Sequence, residues 1–513
     1  MIFVMQNDII ERIFCKEKKV MNIGFDNDKY IELQSKKILE RVDSFGGKLY
    51  LEFGGKLFDD YHASRVLPGF QPDSKLRMLL KIKEKAEIVI AICAADIEKN
   101  KRRGDLGITY DLDVMRLIDT FRDLGLYVGS VCLTRFTGQR AAVMFQTKLE
   151  SMGIKVYRHY PIDNYPSDVE YIVSDEGFGK NEYIETTRPV IVVTAPGPGS
   201  GKMATALSQL YHENKRGVNA GYAKFETFPI WNLPLKHPVN LAYEAATADL
   251  SDVNMIDPFH LEAYGETTVN YNRDIEIFPV LSAMFENIYG ESRYKSPTDM
   301  GVNMAGYAIV DDEACCKASE QEIIRRWFTA RVGLKRGVTE ATEVRKLEVL
   351  MNERQLKDTD RPPVAKAREI AEKTQGPAAC IYLNDGTCVT GKTTELMGSS
   401  SAAILNALKT LAGISDSIDL IAANIITPIQ QLKVGHFGSS STLLHLDQIL
   451  ISLSICAVTN PTAKLALEQL DKLKGAQVHS TVILSSEDES TFKKLGMDVT
   501  CDPEYQSSRL YHG

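Results

Sequence analysis

The stretch VIVVTAPGPGSGKMATALSQLYHENKRG, residues 190–217, decides how this chain is read. Residues 190–193 form a β-branched apolar run, the pattern of a buried strand. Pro196, Gly197, Pro198, Gly199 and Gly201 then break it. Ala204, Ala206, Leu207, Leu210 and Tyr211 follow at helical spacing, and Gly217 ends the helix. A strand, a glycine-rich loop and a helix in that order aim free backbone N–H groups at one point. The helix dipole favours an anion there, and glycine allows close approach. Gly197, Gly199, Ser200 and Gly201 are therefore expected to cradle phosphate, with Lys202 neutralising its charge.

The fit to a P-loop is incomplete. That pattern requires Gly, four residues, Gly-Lys and then Ser or Thr. Pro196 stands where the first Gly belongs, and Met203 takes the place of the Mg²⁺-binding hydroxyl. Thr205 does not substitute, because two residues turn a helical side chain by about 200°. The loop reads as a phosphate-loop variant, the alternative being a structural Gly/Pro turn.

Working outward, residues 48–53, 88–93, 127–133 and 154–157 read as strands, with amphipathic helices over 111–124 and 139–152. This alternation predicts an α/β fold with a mainly parallel sheet and flanking helices, Rossmann-like or P-loop-like in its N-terminal region. A smaller α/β domain is expected at the C-terminus. The expected division is a possible extension over 1–20, an α/β lobe over 21–185, a P-loop-like lobe over 186–345 and a C-terminal domain over 346–513. Residues 218–310 read as richer in loops.

A chain of 513 residues with 44% hydrophobic and 25% charged residues fits a soluble globular protein of two or three domains. The net charge of −8 argues against nonspecific nucleic-acid binding. No apolar run approaches a membrane span. Nine cysteines are scattered without a C-x-x-C pair, which suggests a reducing, cytoplasmic location. Cys315 and Cys316 are adjacent and read as buried small residues.

GTCVTGKT, residues 386–393, matches the P-loop pattern letter for letter. Its context points elsewhere. Asn384, Asp385 and Gly386 form a hairpin-turn signal, so the following residues read as a return strand and the helix starts near Ser399–Ser401. Lys392 and Ser400 remain expected contacts for an anion beside that helix start. LEFGGKLFDDYHASRVLPGF, residues 51–70, places Lys56, His62 and Arg65 after a strand, where α/β sheets bind ligands. Arg135 in CLTRFTGQR occupies the same kind of junction.

A nucleotide site needs a carboxylate for Mg²⁺. Asp257 in VNMIDPFH, with His260 on the same helical turn, and Asp311 are the expected metal ligands; a helix cap or turn residue is the alternative for each. Arg273 is an expected stabiliser of transferring phosphoryl charge. GYAKFETFPIW follows the loop helix, and its Lys224 resembles the strand lysine of dethiobiotin-synthetase-like ATPases, which activate carboxylates with ATP. The motifs of zinc proteases and α/β-hydrolases, H-E-x-x-H and G-x-S-x-G, do not occur.

Taken in order, GFDNDKYI, GGKLFDDYHASRVLPGF, APGPGSGKMAT, TGKTTELMGSSSAA and VHSTVILSSEDE resemble uncharacterised protein family 0371, also called domain of unknown function 1846, a bacterial family. The resemblance implies an N-terminal α/β region and a smaller C-terminal domain, and carries no reaction with it. The residues themselves point to a nucleotide- or phosphate-binding enzyme. The expected chemistry is ATP- and Mg²⁺-dependent, ligase- or kinase-like phosphoryl transfer to a small anionic substrate, with Lys202, Lys224 and Arg273 catalytic. The alternatives are a non-catalytic sensor of a phosphorylated metabolite and a metal-free sugar-phosphate or nucleotide-sugar transferase. A homo-oligomer is a base-rate expectation.

Overall fold

The computed structural model describes residues 23–54, 57–58, 60–103, 107–250 and 252–506. The described residues form two compact units, one of those between 23 and 244 together with 252–319, the other of 245–250 together with 320–506. Among the described residues, no helix is long and apolar enough to cross a membrane.

The first unit is built on one sheet. Its strands are β1 (Leu49–Phe53), β2 (Ala86–Cys93), β3 (Tyr127–Thr134), β4 (Lys155–Arg158), β5 (Val190–Thr194), β6 (Gly221–Phe225) and, beyond the short antiparallel pair β7 (Asn254–Ile256) and β8 (Val269–Tyr271), β9 (Gly301–Val302). The order across the sheet is β4-β3-β2-β5-β1-β6-β9, and every neighbouring pair is parallel. Strands from residues 49–158 and from residues 190–302 thus share one sheet. The apolar runs explain the centre: β1, β2 and β5 are buried along their whole length, as expected of parallel strands covered on both faces.

The two faces are distinguished by alternation along β1 and β6. Phe53 and Phe225 stack on one face, and the Lys75 ammonium from helix Ser74–Lys81 lies 6.0 Å from the Phe225 ring. Tyr50 and Tyr222 lie on the other face. There the Tyr50 hydroxyl donates to Glu213 of helix Lys202–Lys215 at 2.7 Å. Helices therefore cover both faces, an open α/β sheet with a mainly parallel core.

The strand order fixes where the connections part. The chain leaves β1 toward β2 and leaves β5 toward β6, so the connections of these two adjacent strands run in opposite directions. Such a switch point opens a crevice beyond the carboxyl ends of the strands.

Helix Asn272–Tyr289 lies within the segment read as loop-rich. Pro279 sits inside it, which is why the sequence pattern hides the helix: proline removes an interior hydrogen bond and normally signals a break.

The second unit holds a mixed sheet, β11-β10-β12-β13. β10 (Ala378–Tyr382) and β11 (Cys388–Lys392) pair antiparallel across the Asn384-Asp385-Gly386 turn, where Gly386 adopts φ +90°. β12 (Gln477–Ser480) pairs antiparallel with β10 and parallel with β13 (Asp498–Cys501). Helix Ser399–Ala412 starts where the serine run predicts. Its buried Ile404 and Leu408 join Ile381, Val478 and Leu453 in one apolar core.

Candidate functional site

The glycine loop stands at the carboxyl end of β5, beside β1. Helix Lys202–Lys215 begins immediately after it, with Gly201 as N-cap at φ +90°. Gly199 is also left-handed, at φ +74°, and a Cβ there would meet open space. The loop is held from behind. The Thr134 hydroxyl of β3 donates to the Ser200 carbonyl at 2.7 Å, and the Ser200 hydroxyl donates to the Gly197 carbonyl at 2.8 Å. A Cβ on Gly197 would fall 2.3 Å from the Tyr110 hydroxyl, so glycine is needed for that close approach. Ser200 is buried and its hydroxyl belongs to the loop's own structure, so the candidate ligand contacts here are backbone N–H groups and Lys202. Lys202 is half-buried as the first helical residue.

Two strands away, the end of β6 carries charge. Alternation puts Tyr222, Lys224 and Glu226 on the same face. The Lys224 ammonium lies 2.7 Å from Glu226 Oε1 and also pairs with Asp274, in the first turn of helix Asn272–Tyr289. The contact with Oε1 is an ion pair without an aligned hydrogen bond. Burial pulls the Lys224 ammonium toward neutrality, but Asp274 and Glu226 outweigh it and hold the proton more tightly than in an ordinary lysine. Burial raises the Glu226 carboxyl. Lys224 opposes that rise, Asp274 reinforces it, and the result is about 7. Lys224 already has one carboxylate counter-ion, so the second carboxylate gains less from it.

Between the loop and this cluster lies Glu52, level in register with Val193 of β5 and Lys224 of β6. It is buried and accepts the Tyr222 hydroxyl at 2.7 Å. Tyr165 faces the same carboxylate and Arg135. Tyr165 is 40% exposed as a residue, yet desolvation of its hydroxyl and the Glu52 charge raise it, with Arg135 opposing. Arg135 itself is exposed, has φ +51°, and its carbonyl accepts from Gln139.

The remaining expected residues are distributed as follows. Lys56 lies outside the described residues. His62 packs edge-on against Phe228 and Tyr243, and its charge helps Lys75 hold the neighbouring Asp60 carboxyl below its usual range against the effect of burial. Arg65 is in the last turn of helix Tyr61–Val66. Arg273 pairs with the buried Asp252 at 2.5 Å. Asp257 is fully buried and caps helix Pro258–Tyr264: it accepts from the backbone N–H of Phe259, His260 and Thr298, and from the Thr298 hydroxyl at 2.6 Å. Asp311 is exposed and accepts from the Ala314 N–H at 3.1 Å. Lys392, at the end of β11, is exposed, and Ser400 is buried in the first turn of helix Ser399–Ala412. These two belong to the second unit.

Glu226 and Asp274 were not among the residues singled out from sequence. Glu226 was within reach of the alternation rule, since it stands two positions after Lys224 on a strand pattern. Asp274 is 50 residues from Lys224, and only the fold joins them.

These features define an open parallel α/β protein with a glycine loop at the switch point of its sheet and an ion cluster at the end of β6. Residues 23–355 match the family described as domain of unknown function DUF1846, N-terminal, and residues 359–511 match its C-terminal counterpart. The chain belongs to this family. It is 58% identical over 501 residues to a UPF0371 protein of Clostridium tetani, covering 96% of this chain and 100% of that protein. It is 57% identical over 488 residues to a UPF0371 protein of Streptococcus thermophilus and 56% identical over 488 residues to one of Streptococcus pneumoniae. Each of these matches covers 95% of this chain and 99% of the relative.

Proposed function

We propose that this chain is an enzyme acting on a small phosphorylated molecule, whose phosphate is gripped by residues 197–202 and whose reacting end lies at Glu226 and Lys224. The observation that carries this reading is the position of the glycine loop: it leads into a helix N-terminus at the switch point between β5 and β1. The ion cluster supplies the chemical half. Glu226, with its carboxyl near neutrality, suits proton transfer at physiological pH. Neighbouring strands are about 4.8 Å apart, so the ends of β5 and β6 are separated by about 10 Å across β1. That distance suits a metabolite or nucleotide that binds by its phosphate and reacts at its far end.

A nucleoside triphosphate with Mg²⁺ is the more specific form of the same reading. Asp257 gives it little support, since both its oxygens already accept from protein donors. Met203 in the hydroxyl position favours a phosphate held by backbone and lysine alone.

The test is ligand-induced stabilisation of the full chain. Sugar phosphates, ADP and ATP, each with and without Mg²⁺, are added to the wild type and to Lys202→Ala. A ligand at a hundred times its Kd stabilises by about 2.7 kcal/mol. A shift that Lys202→Ala abolishes supports the loop, and its dependence on Mg²⁺ separates nucleotide from metabolite. A shift unchanged in the variant, or no shift with any phosphate, overturns the reading.

A further inference from the structure

A second constellation lies on segments that follow β6 and β9. His237 immediately precedes helix Pro238–Ala246, and its carbonyl accepts from the Leu241 N–H. Asp312 opens helix Asp312–Arg336, and Cys316 stands four positions later, on the same helical face. The three side chains converge. His237 Nε2 is 3.1 Å from Asp312 Oδ1 and 3.5 Å from Cys316 Sγ, and Sγ is 3.8 Å from Asp312 Oδ2.

From these distances we infer that His237, Asp312 and Cys316 form a divalent-cation site of the zinc class with an open fourth position. Zinc bonds of about 2.3 Å to sulfur and about 2.0 Å to nitrogen or oxygen, in a tetrahedron, place S and N about 3.5 Å apart, N and O about 3.3 Å, and S and O about 3.5 Å. The N–S separation of 3.5 Å and the N–O separation of 3.1 Å, to Asp312 Oδ1, match to within about 0.2 Å, and the thiol lies 3.8 Å from the other carboxylate oxygen, Oδ2, so a turn of the carboxyl group brings one oxygen into position for both. The donor set of thiolate, imidazole and carboxylate selects a borderline cation such as Zn²⁺ over Mg²⁺ or Ca²⁺. A serine-type Cys–His–Asp relay needs the acid and the thiol on opposite ring nitrogens, whereas both approach Nε2 here.

The surroundings suit a cation. Asp312 and Glu313 make the first helical turn acidic. His237 is buried while Asp312 is 61% exposed over its side chain, which leaves an entry path from solvent. Cys315 takes no part, since it is buried and its thiol donates to the Gly24 carbonyl. His237 Nδ1 accepts from the Val239 N–H at 3.3 Å. That contact is long for a hydrogen bond and gives way when the ring proton moves from Nε2 to Nδ1 on metal binding.

The test uses the full, reduced chain stripped of metal with a chelator. Co²⁺ is added first, and the near-ultraviolet thiolate-to-cobalt charge-transfer band is recorded; Zn²⁺ is then titrated against it. One equivalent of Co²⁺ should give the band, and one of Zn²⁺ should remove it. Cys316→Ser should abolish the band, Asp312→Asn should weaken zinc affinity at least tenfold, and Cys388→Ser, at an exposed cysteine elsewhere, should change neither. Absence of the band in the wild type, or its persistence in Cys316→Ser, overturns the assignment.

Discussion

The Lys224 ammonium sits between two carboxylates, 2.7 Å from Glu226 and in direct contact with Asp274. One positive charge facing two acids, Glu226 buried and Asp274 half-buried, sets a clear pH dependence. The Glu226 carboxyl is raised to about 7 in the folded chain, so the folded state holds a proton that the unfolded state releases near pH 4.5. This group's contribution to stability is therefore fully present below about pH 4.5 and is lost as pH rises through about 7. Glu226→Gln removes this loss. Between pH 5 and pH 8 the variant should gain up to about 3 kcal/mol relative to wild type, read by denaturant unfolding at both values. A gap that stays constant with pH would place the proton elsewhere in the cluster. Lys224→Met should act in the opposite direction, costing about 3–5 kcal/mol at pH 8 by stranding two acids.

The glycines of the loop separate folding from binding. Gly201→Ala forces alanine to φ +90° and brings its Cβ within about 3 Å of Thr134, so it should cost about 2 kcal/mol or more of stability. Gly199→Ala has the same backbone strain but no neighbour, and should cost about 1 kcal/mol. Its methyl projects into the open space over the loop. Gly199→Ala should therefore weaken phosphate-ligand affinity by more than its small stability loss suggests, measured by calorimetric titration beside the thermal midpoint. Normal affinity in Gly199→Ala would move the ligand away from this face of the loop.

The elements that the sequence makes legible are those whose signal is local. The apolar run at 88–93 is the fully buried β2, and the strand–loop–helix order at 190–217 is observed as Val190–Thr194 followed by Lys202–Lys215. The Asn-Asp-Gly signal correctly outweighs the letter-perfect P-loop pattern of residues 386–393, because turn chemistry constrains the backbone and a pattern of letters does not. Strand order was not legible. Nothing local says that β5 inserts between β2 and β1, yet that insertion creates the crevice. The partners of Lys224 and of His237 were hidden for the same reason, since Asp274 and Asp312 come to them only through the fold.

Asp257 tests the distinction between a cap and a metal ligand. Its two oxygens serve the N–H groups of Phe259, His260 and Thr298 and the Thr298 hydroxyl, all in a fully buried position. Asp257→Ala loses the helix cap, about 1–2 kcal/mol, and leaves a buried hydroxyl without its acceptor, about 1–3 kcal/mol more. A total of about 3 kcal/mol is expected in equilibrium unfolding, with bound metal, measured by elemental analysis, unchanged. A loss of metal with little loss of stability would favour the ligand reading of Asp257 over the cap.

In the second unit, Asp502 governs behaviour in acid. Arg368 holds both its oxygens, at 2.6 and 3.1 Å, and His479 Nε2 lies 3.5 Å away, at the limit of a hydrogen bond. Burial alone would raise this carboxyl, but His479 and Arg368 outweigh it and bring it down to about 2. The stabilisation is fully present above the unfolded carboxyl's value near pH 4 and is lost as pH falls toward 2, amounting to about 2 kcal/mol. His479 acts in the same direction. Burial depresses its proton affinity, so protonation in the unfolded state further favours unfolding as pH drops below about 6.5. Asp502→Asn should therefore lose about 2 kcal/mol at pH 7 and show a shallower decline between pH 4 and pH 2. The sequence has two tryptophans, Trp231 in the first unit and Trp327 in the second. Trp327 emission in a Trp231→Phe background follows the second unit within the full chain. Equal acid slopes with and without Asp502 would show that the Arg368 pair is broken in solution.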